Sequence, residues 1–228
     1  VFELKKLVRQ IQPDLLNVHY ATGYGLLARL VAFKPTLLSV WGSDVYDFPN
    51  ISFIHRWLLK GNLSSADAIA STSNCMARKT IESYNHNNIF ITPFGVDTTK
   101  FAPGECYYEG NNIEIVIGTI KTLDGKYGID TLIEAFSLVL KKIDPVFNLK
   151  LEITGGGPDE YKLKKLADSL GISNRIIFHG AVIHGKVPEM LNRLDIYVAL
   201  SRLESFGVAI LEASACEKPV IVSDADGP

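Results

Sequence analysis

Short apolar runs alternate along this chain with amphipathic stretches, and that rhythm limits what the chain can fold into. Residues 14–19, 36–41, 66–71 and 88–92 read as buried strands with helical segments between them. A second series follows at 113–118, 150–154, 175–179, 195–199 and 219–223. Strands that are apolar nearly throughout, each followed by a helix, belong to parallel sheets covered on both faces. The expected fold class is therefore α/β, with two Rossmann-like units separated by the turn-rich segment 93–103. The expected boundaries are 1–97 for the first domain, 98–104 for a linker and 105–228 for the second domain. Ligands of open α/β sheets lie beyond the carboxyl ends of the strands, so two such edges are expected to face each other across a cleft.

The helical segments have their own signatures. Phe2, Leu4, Leu7, Val8 and Ile11 recur at helical spacing, with Lys5, Lys6 and Arg9 on the other face. Further helices are expected around 130–140 and 159–170. With 47% apolar and 21% charged residues in 228, the chain has the composition of an ordinary globular protein. A formal net charge of -2 argues against bulk nucleic-acid binding, which needs an excess of Lys and Arg to neutralise phosphates. Cys75, Cys106 and Cys216 are odd in number and lack CxxC spacing, which points away from a disulfide framework or a zinc site and toward a reducing cytosol. The sequence has no signal-peptide pattern and no apolar run long enough to span a bilayer, so the expected location is cytoplasmic.

The segment with most chemical content is Glu204-Ser-Phe-Gly-Val-Ala-Ile-Leu-Glu212, followed by Ala-Ser-Ala-Cys-Glu-Lys-Pro-Val-Ile-Val-Ser-Asp. Ser205 is expected to cap a helix there, which would place the first free backbone N–H groups near Phe206, Gly207 and Val208, where an anion is welcome. Gly207 would let such a ligand approach the backbone. Glu204 would then precede the helix and Glu212 lie about two turns into it, close enough to serve one ligand but too far apart to chelate one small ion. Carboxylates accept hydrogen bonds from paired hydroxyls, as on a ribose or a sugar ring.

This Glu-x7-Glu pattern and its trailing segment resemble retaining glycosyltransferases of the GT-B fold, family 4, also called group 1. The resemblance implies that Glu204 lies beside the transferred sugar and that Glu212 holds the ribose of a nucleotide diphosphate sugar donor. Pro93-Phe-Gly-Val-Asp is similar to the family's passage from the acceptor-side domain to the nucleotide-sugar domain. Family members carry Gly-Arg at the first strand end of the second domain and Lys-Gly soon after. Here Gly118 is followed by Thr119 in the arginine place, the loop is longer, Lys126 is the carry-over for the lysine, and Lys121 stands in for the arginine. Gly156 and Gly157, in the run Gly155-Gly-Gly157-Pro158, resemble the glycine loop near the donor nucleotide. Val182 falls where backbone groups of the family read the base.

In the first domain, Ser39-Val-Trp-Gly-Ser-Asp-Val45 resembles the family's HGSD loop with Trp41 in the histidine place, which leaves Gly42 and Asp44 as acceptor-side candidates. His19, in Asn17-Val-His-Tyr20, is a further candidate to line the cleft. The triplet Asp224-Ala-Asp226 spells a metal-binding DxD, but it lacks further ligands at suitable spacing, so no metal and no other cofactor is expected.

The implied reaction is transfer of a sugar to a hydroxyl acceptor, saccharide or lipid-linked, in polysaccharide or lipopolysaccharide assembly. A lipid-linked acceptor would bring peripheral contact with the inner membrane face, for which Phe53-Ile-His-Arg-Trp-Leu-Leu-Lys60 has suitable residues, although a half-buried helix explains that stretch as well. A GT-B nucleotide-sugar epimerase and a non-catalytic glycosyltransferase-like subunit are the alternative readings. Family members carry further strands before the equivalent of Val1 and further helices after the equivalent of Pro228, so both domains are expected to be incomplete.

Overall fold

The computed structural model describes residues 1–104 and 113–225. The chain divides into two compact units, Val1–Phe94 and Gly95–Asp226. In the first unit the elements run α1 (Phe2–Ile11), β1 (Leu16–His19), α2 (Gly23–Val31), β2 (Thr36–Val40), α3 (Ser43–Tyr46), α4 (Phe48–Ile51), α5 (Phe53–Ser65), β3 (Ala68–Ser71), α6 (Asn74–Ser83) and β4 (Ile89–Ile91). Its four strands pair in parallel in the order β1-β2-β3-β4. Val18, Leu38, Val40 and Ile69 of the sheet pack against Ala28 of α2, Leu59 and Leu63 of α5 and Met76 of α6. The helix expected from the first residues forms as α1, yet none of its residues is buried.

The second unit contains β5 (Ile113–Ile120), α7 (Ile129–Leu140), β6 (Phe147–Thr154), α8 (Glu160–Ser169), β7 (Ile176–Gly180), α9 (Val187–Asn192), β8 (Ile196–Ala199), α10 (Val208–Ala215) and β9 (Val220–Val222). Its all-parallel sheet has the order β7-β6-β5-β8-β9. β6 begins three residues before the expected start, because Phe147-Asn-Leu-Lys-Leu alternates polar and apolar residues and this first half is buried on one face, whereas 151–154 are buried throughout. Leu149, Leu151 and Ile153 meet Leu132, Ile133 and Phe136 of α7 and Leu163 of α8 in one core. A second core of Leu191, Leu194, Tyr197, Ala213 and Phe101 lies with α9 and α10. The strand order reverses between β5 and β8, and ligands of such sheets bind at that switch point, outside the carboxyl ends of the two strands.

Among the described residues no helix is long and apolar enough to cross a membrane. Cys75 and Cys216 are buried thiols that form no disulfide, while Cys106 lies outside the described residues.

Candidate active site

Beyond the ends of β5 and β8, two loops carry charged side chains toward each other. Lys121 follows β5 directly, and its Nζ lies 2.6 Å from Glu204 Oε2 in the loop after β8. Both side chains are largely shielded, at 12% and 11% exposure, so losing one partner costs more than at a surface ion pair, because it strands a desolvated charge. Ser201 Oγ donates to the same Glu204 oxygen at 3.3 Å, and the Ser205 N–H donates to Oε1 at 3.2 Å. Burial opposes ionisation of Glu204, but the Lys121 hydrogen bond and charge outweigh it and hold the carboxyl below its ordinary range.

The helix after this loop starts later than expected. Its N-cap is Gly207, at φ 82°, and α10 begins at Val208 without a side-chain cap. Ser205 is therefore not the capping residue: its N–H is turned to the Glu204 carboxylate, and the chain needs the left-handed conformation that glycine tolerates to enter the helix. Glu212 is consequently the fifth helical residue, just over one turn in rather than two. It is buried, and its Oε1 lies 3.1 Å from His184 Nε2. Burial is the main cause that pushes the Tyr197 phenol far up, and the charges of Glu212 and Glu204 add to it. His184, packed on Phe101 with ring centroids 5.6 Å apart, is a site residue that the sequence motifs did not single out. Its signal was its place in the loop after β7, at the carboxyl edge of the sheet.

Lys126 stays exposed. Its ammonium and that of Lys121 lie over the same Tyr127 ring, 5.2 and 4.9 Å from the centroid. With Lys121 paired to Glu204, the exposed Lys126 adds positive charge within roughly a Debye length of that pair, about 10 Å at 0.1 M salt.

The other candidates in this unit lie beneath or beside the loops. Thr119 is buried next to the Tyr197 hydroxyl. A Cβ at Gly118 would sit 2.5 Å from Leu194 and 2.6 Å from the Glu152 carbonyl, so this glycine is required by packing of the strand. Gly157 has no room for a Cβ because the Leu123 carbonyl would be 2.3 Å away, and Gly156 accepts a hydrogen bond from Leu123 N at 3.1 Å. The glycine run thus presses against the Lys121 loop. Val182 and Phe206 are half-buried, as is Val208 at the first turn of α10.

In the first unit, Asp44 is fully buried and its oxygens accept N–H bonds from Ala21 at 2.8 Å, Gly42 at 2.9 Å and Trp41 at 3.0 Å. It ties the loops after β1 and β2 together, and Gly42, at φ 132°, makes that turn possible. His19 is exposed and stacks near Trp41, which in turn contacts Phe94, with centroids 5.5 and 5.3 Å apart. Among the described residues no group of three or more His, Cys, Asp or Glu could hold a metal ion, and Asp226 of the DxD triplet lies outside those residues.

The second unit is thus an open parallel α/β sheet with a shielded Lys–Glu pair at its switch point. The profile of the glycosyl transferases group 1 family matches residues 109–228, and a glycosyl transferase 4-like profile matches residues 1–73. The chain belongs to the glycosyl transferases group 1 family. It is 25% identical over 240 residues to N-acetyl-alpha-D-glucosaminyl L-malate synthase of Bacillus anthracis, covering 96% of this chain and 58% of that protein. It is 30% identical over 150 residues to the GDP-mannose-dependent alpha-(1-6)-phosphatidylinositol monomannoside mannosyltransferase of Mycobacterium tuberculosis, covering 59% of this chain and 38% of that protein. The chain thus spans less than two thirds of these relatives' lengths. The crystal structure of Anabaena HepE in complex with UDP superposes with a TM-score of 0.81 at 16% identity, over 99% of this chain and 63% of that one. Sucrose-phosphate synthase from Thermosynechococcus elongatus gives 0.75 at 18% identity, over 97% of this chain and 59% of that one. The fold is GT-B.

Proposed function

We propose that this chain is the donor-binding and acceptor-side part of a retaining glycosyltransferase, moving a hexose-type sugar from a nucleotide diphosphate sugar to a hydroxyl acceptor in polysaccharide or lipopolysaccharide assembly. The observation that carries the reading is the shielded Lys121–Glu204 pair at the β5/β8 switch point, with Glu212 buried in the helix that follows the same loop. A diphosphate arriving there competes with Glu204 for Lys121, and the freed carboxylate can accept a hydrogen bond from a sugar hydroxyl. Lys126, exposed beside Lys121, supplies the second positive charge as the bond to the leaving phosphate lengthens. Glu212, oriented by His184, takes the ribose diol. The leaving phosphate accepts the acceptor's proton, so no protein base is required. The relatives' names support sugar transfer: one is a glucosaminyl malate synthase by name, and the other a GDP-mannose-dependent phosphatidylinositol monomannoside mannosyltransferase.

Incubation of the chain with UDP-, GDP- and ADP-hexoses, with and without a sugar acceptor, tests the reading, with the product's anomeric configuration read by NMR. Acceptor-dependent transfer with retention, surviving EDTA, is expected. Conversion of donor alone to an epimer, or activity lost to EDTA and restored by Mg²⁺ or Mn²⁺, contradicts it.

A further inference from the structure

Lys126 projects from a short turn whose support comes largely from another loop. The 3₁₀ turn Gly125–Tyr127 is three residues long, and within it Asp124 Oδ1 accepts the Lys126 N–H at 3.1 Å. The hydrogen-bond geometry of so short a turn is poor, so it holds its place only if something outside it does the holding. The loop after β8 supplies this. A Cβ at Gly128 would lie 2.0 Å from the Leu200 carbonyl, so the turn ends directly against that loop. The Lys126 carbonyl accepts the Arg202 N–H at 2.7 Å.

Arg202 then reaches around the turn with its side chain. Nη1 donates to the Gly125 carbonyl and lies 3.0 Å from Asp130 Oδ1, while Nη2 donates to Asp130 Oδ2 at 3.0 Å and to Thr131 Oγ1 at 2.8 Å. One planar guanidinium thus ties the residue before Lys126 to the first turn of α7 after it. Burial opposes ionisation of Asp130, but its bonds from Arg202 and the Thr131 N–H outweigh this and hold the carboxyl below its ordinary range, so the grip joins two charges. The Arg202 side chain is half exposed, so the pair adds little to global stability and acts mainly on where the turn sits. Both terminal nitrogens are turned to the protein, which leaves the phosphate charge to the lysines. Two residues on, Glu204 of the same loop holds Lys121, so one loop sets the position of both cations.

We propose that Arg202 is a positioning residue for sugar transfer, its guanidinium fixing the Gly125–Tyr127 turn against α7 and so aiming the Lys126 ammonium at the departing diphosphate. The inference rests on the proposed role of Lys126 as the counter-charge of the leaving group.

Steady-state transfer from the UDP-, GDP- or ADP-hexose that the chain uses, measured for Arg202→Ala, Arg202→Lys and Asp130→Asn, alone and combined with Lys126→Ala, tests it. Arg202→Ala should lower kcat about tenfold to a hundredfold, as when a charged group is misplaced by about an ångström, with donor KM within about threefold of the parent and the thermal midpoint nearly unchanged. Arg202→Lys keeps the charge but loses the fork, and should recover only part of the rate. Asp130→Asn leaves the Gly125 and Thr131 contacts in place and should lower kcat severalfold, which carries the same test if Arg202→Ala folds poorly. In the Lys126→Ala background, Arg202→Ala should cost less than about threefold, because no ammonium is left to aim. An unchanged kcat for Arg202→Ala, full rescue by Arg202→Lys, or the same fold loss with and without Lys126 overturns the proposal while leaving the role of Lys126 standing. A parent chain that transfers no sugar, or a rate that Lys126→Ala leaves intact, defeats that role itself and the inference with it, so the two failures are told apart.

Discussion

At the scale of single residues, two of the second unit's shielded carboxylates, Glu204 and Glu152, are held in opposite ways. Glu204 is held by one lysine and two weak donors, a set that an incoming anion can break. Glu152 is locked: Arg193 grips it through Nε and Nη2 at 3.0 and 2.9 Å, and His179 Nε2 lies 2.8 Å away. Burial resists its ionisation, but the Arg193 and His179 hydrogen bonds prevail and hold it below the ordinary value of 4.5. Since the folded pKa is depressed, this stabilisation is complete above pH 4.5 and is lost as pH falls through the lower folded value. Glu204 acts in the same window and the same direction. Acid unfolding of Glu152→Gln should therefore depend less steeply on pH below 4.5 than that of the parent chain, and Arg193→Ala should cost about 1.5–3 kcal/mol in urea denaturation at neutral pH. An unchanged acid profile for Glu152→Gln would refute the lock. His184 belongs to neither group, being an exposed residue whose polar contact is the Glu212 carboxylate. His184→Ala should raise the donor KM severalfold with kcat nearly unchanged, and His184→Gln, which can still donate, should recover part of the loss.

At the scale of elements, the loop from Lys121 to Lys126 is clamped from both sides. Lys121 N donates to Thr154 O at 3.0 Å, Asp159 N to Leu123 O at 3.0 Å, and Arg202 N to Lys126 O at 2.7 Å. Gly155, at φ 142°, would put a Cβ 1.8 Å from the Lys121 carbonyl, so Gly155→Ala should displace the loop. A destabilisation of about 1–3 kcal/mol is expected, with a larger loss of nucleotide affinity than of stability. A variant as stable and as tight-binding as the parent would show that the clamp is not needed. The strands, their order of appearance and the placement of both glutamates near one sheet edge were legible in the sequence, because buried parallel strands are apolar and bounded by turn residues. The cap was not. Ser205 has the right chemistry for one, but a competing hydrogen bond to Glu204 and the left-handed Gly207 moved the helix start on to Val208. Nor could the sequence show that Lys121 meets Glu204, since 83 residues separate them and only the strand order β5-β8 brings their loops together. The same holds for Asp44, whose burial under three N–H donors assigns it to holding the loops.

At the scale of the whole molecule, the second unit carries the paired charges, and the first carries the aromatic row His19, Trp41 and Phe94 and the uncovered face of α5. In the proposed reaction Lys126 and Lys121 together take up the charge of the leaving group. Under saturating donor, Lys126→Ala should lower kcat about a hundredfold or more, by comparison with other preorganised electrostatic groups. Lys121→Gln should also weaken donor binding, because it leaves Glu204 shielded and unpaired beside the phosphate. A near parental rate for Lys126→Ala beside a collapse for Lys121→Gln would assign the leaving group to Lys121 alone. The central claim is that the β5/β8 edge binds a nucleoside diphosphate through Lys121 and Glu212, and calorimetric titration of the chain with UDP, GDP and ADP in EDTA tests it most directly. One of the three should bind saturably at one site per chain, and Glu212→Ala should weaken it by about 1.5–3 kcal/mol. Unchanged affinity in a folded Glu212→Ala chain, or no binding of any of the three, would contradict the account.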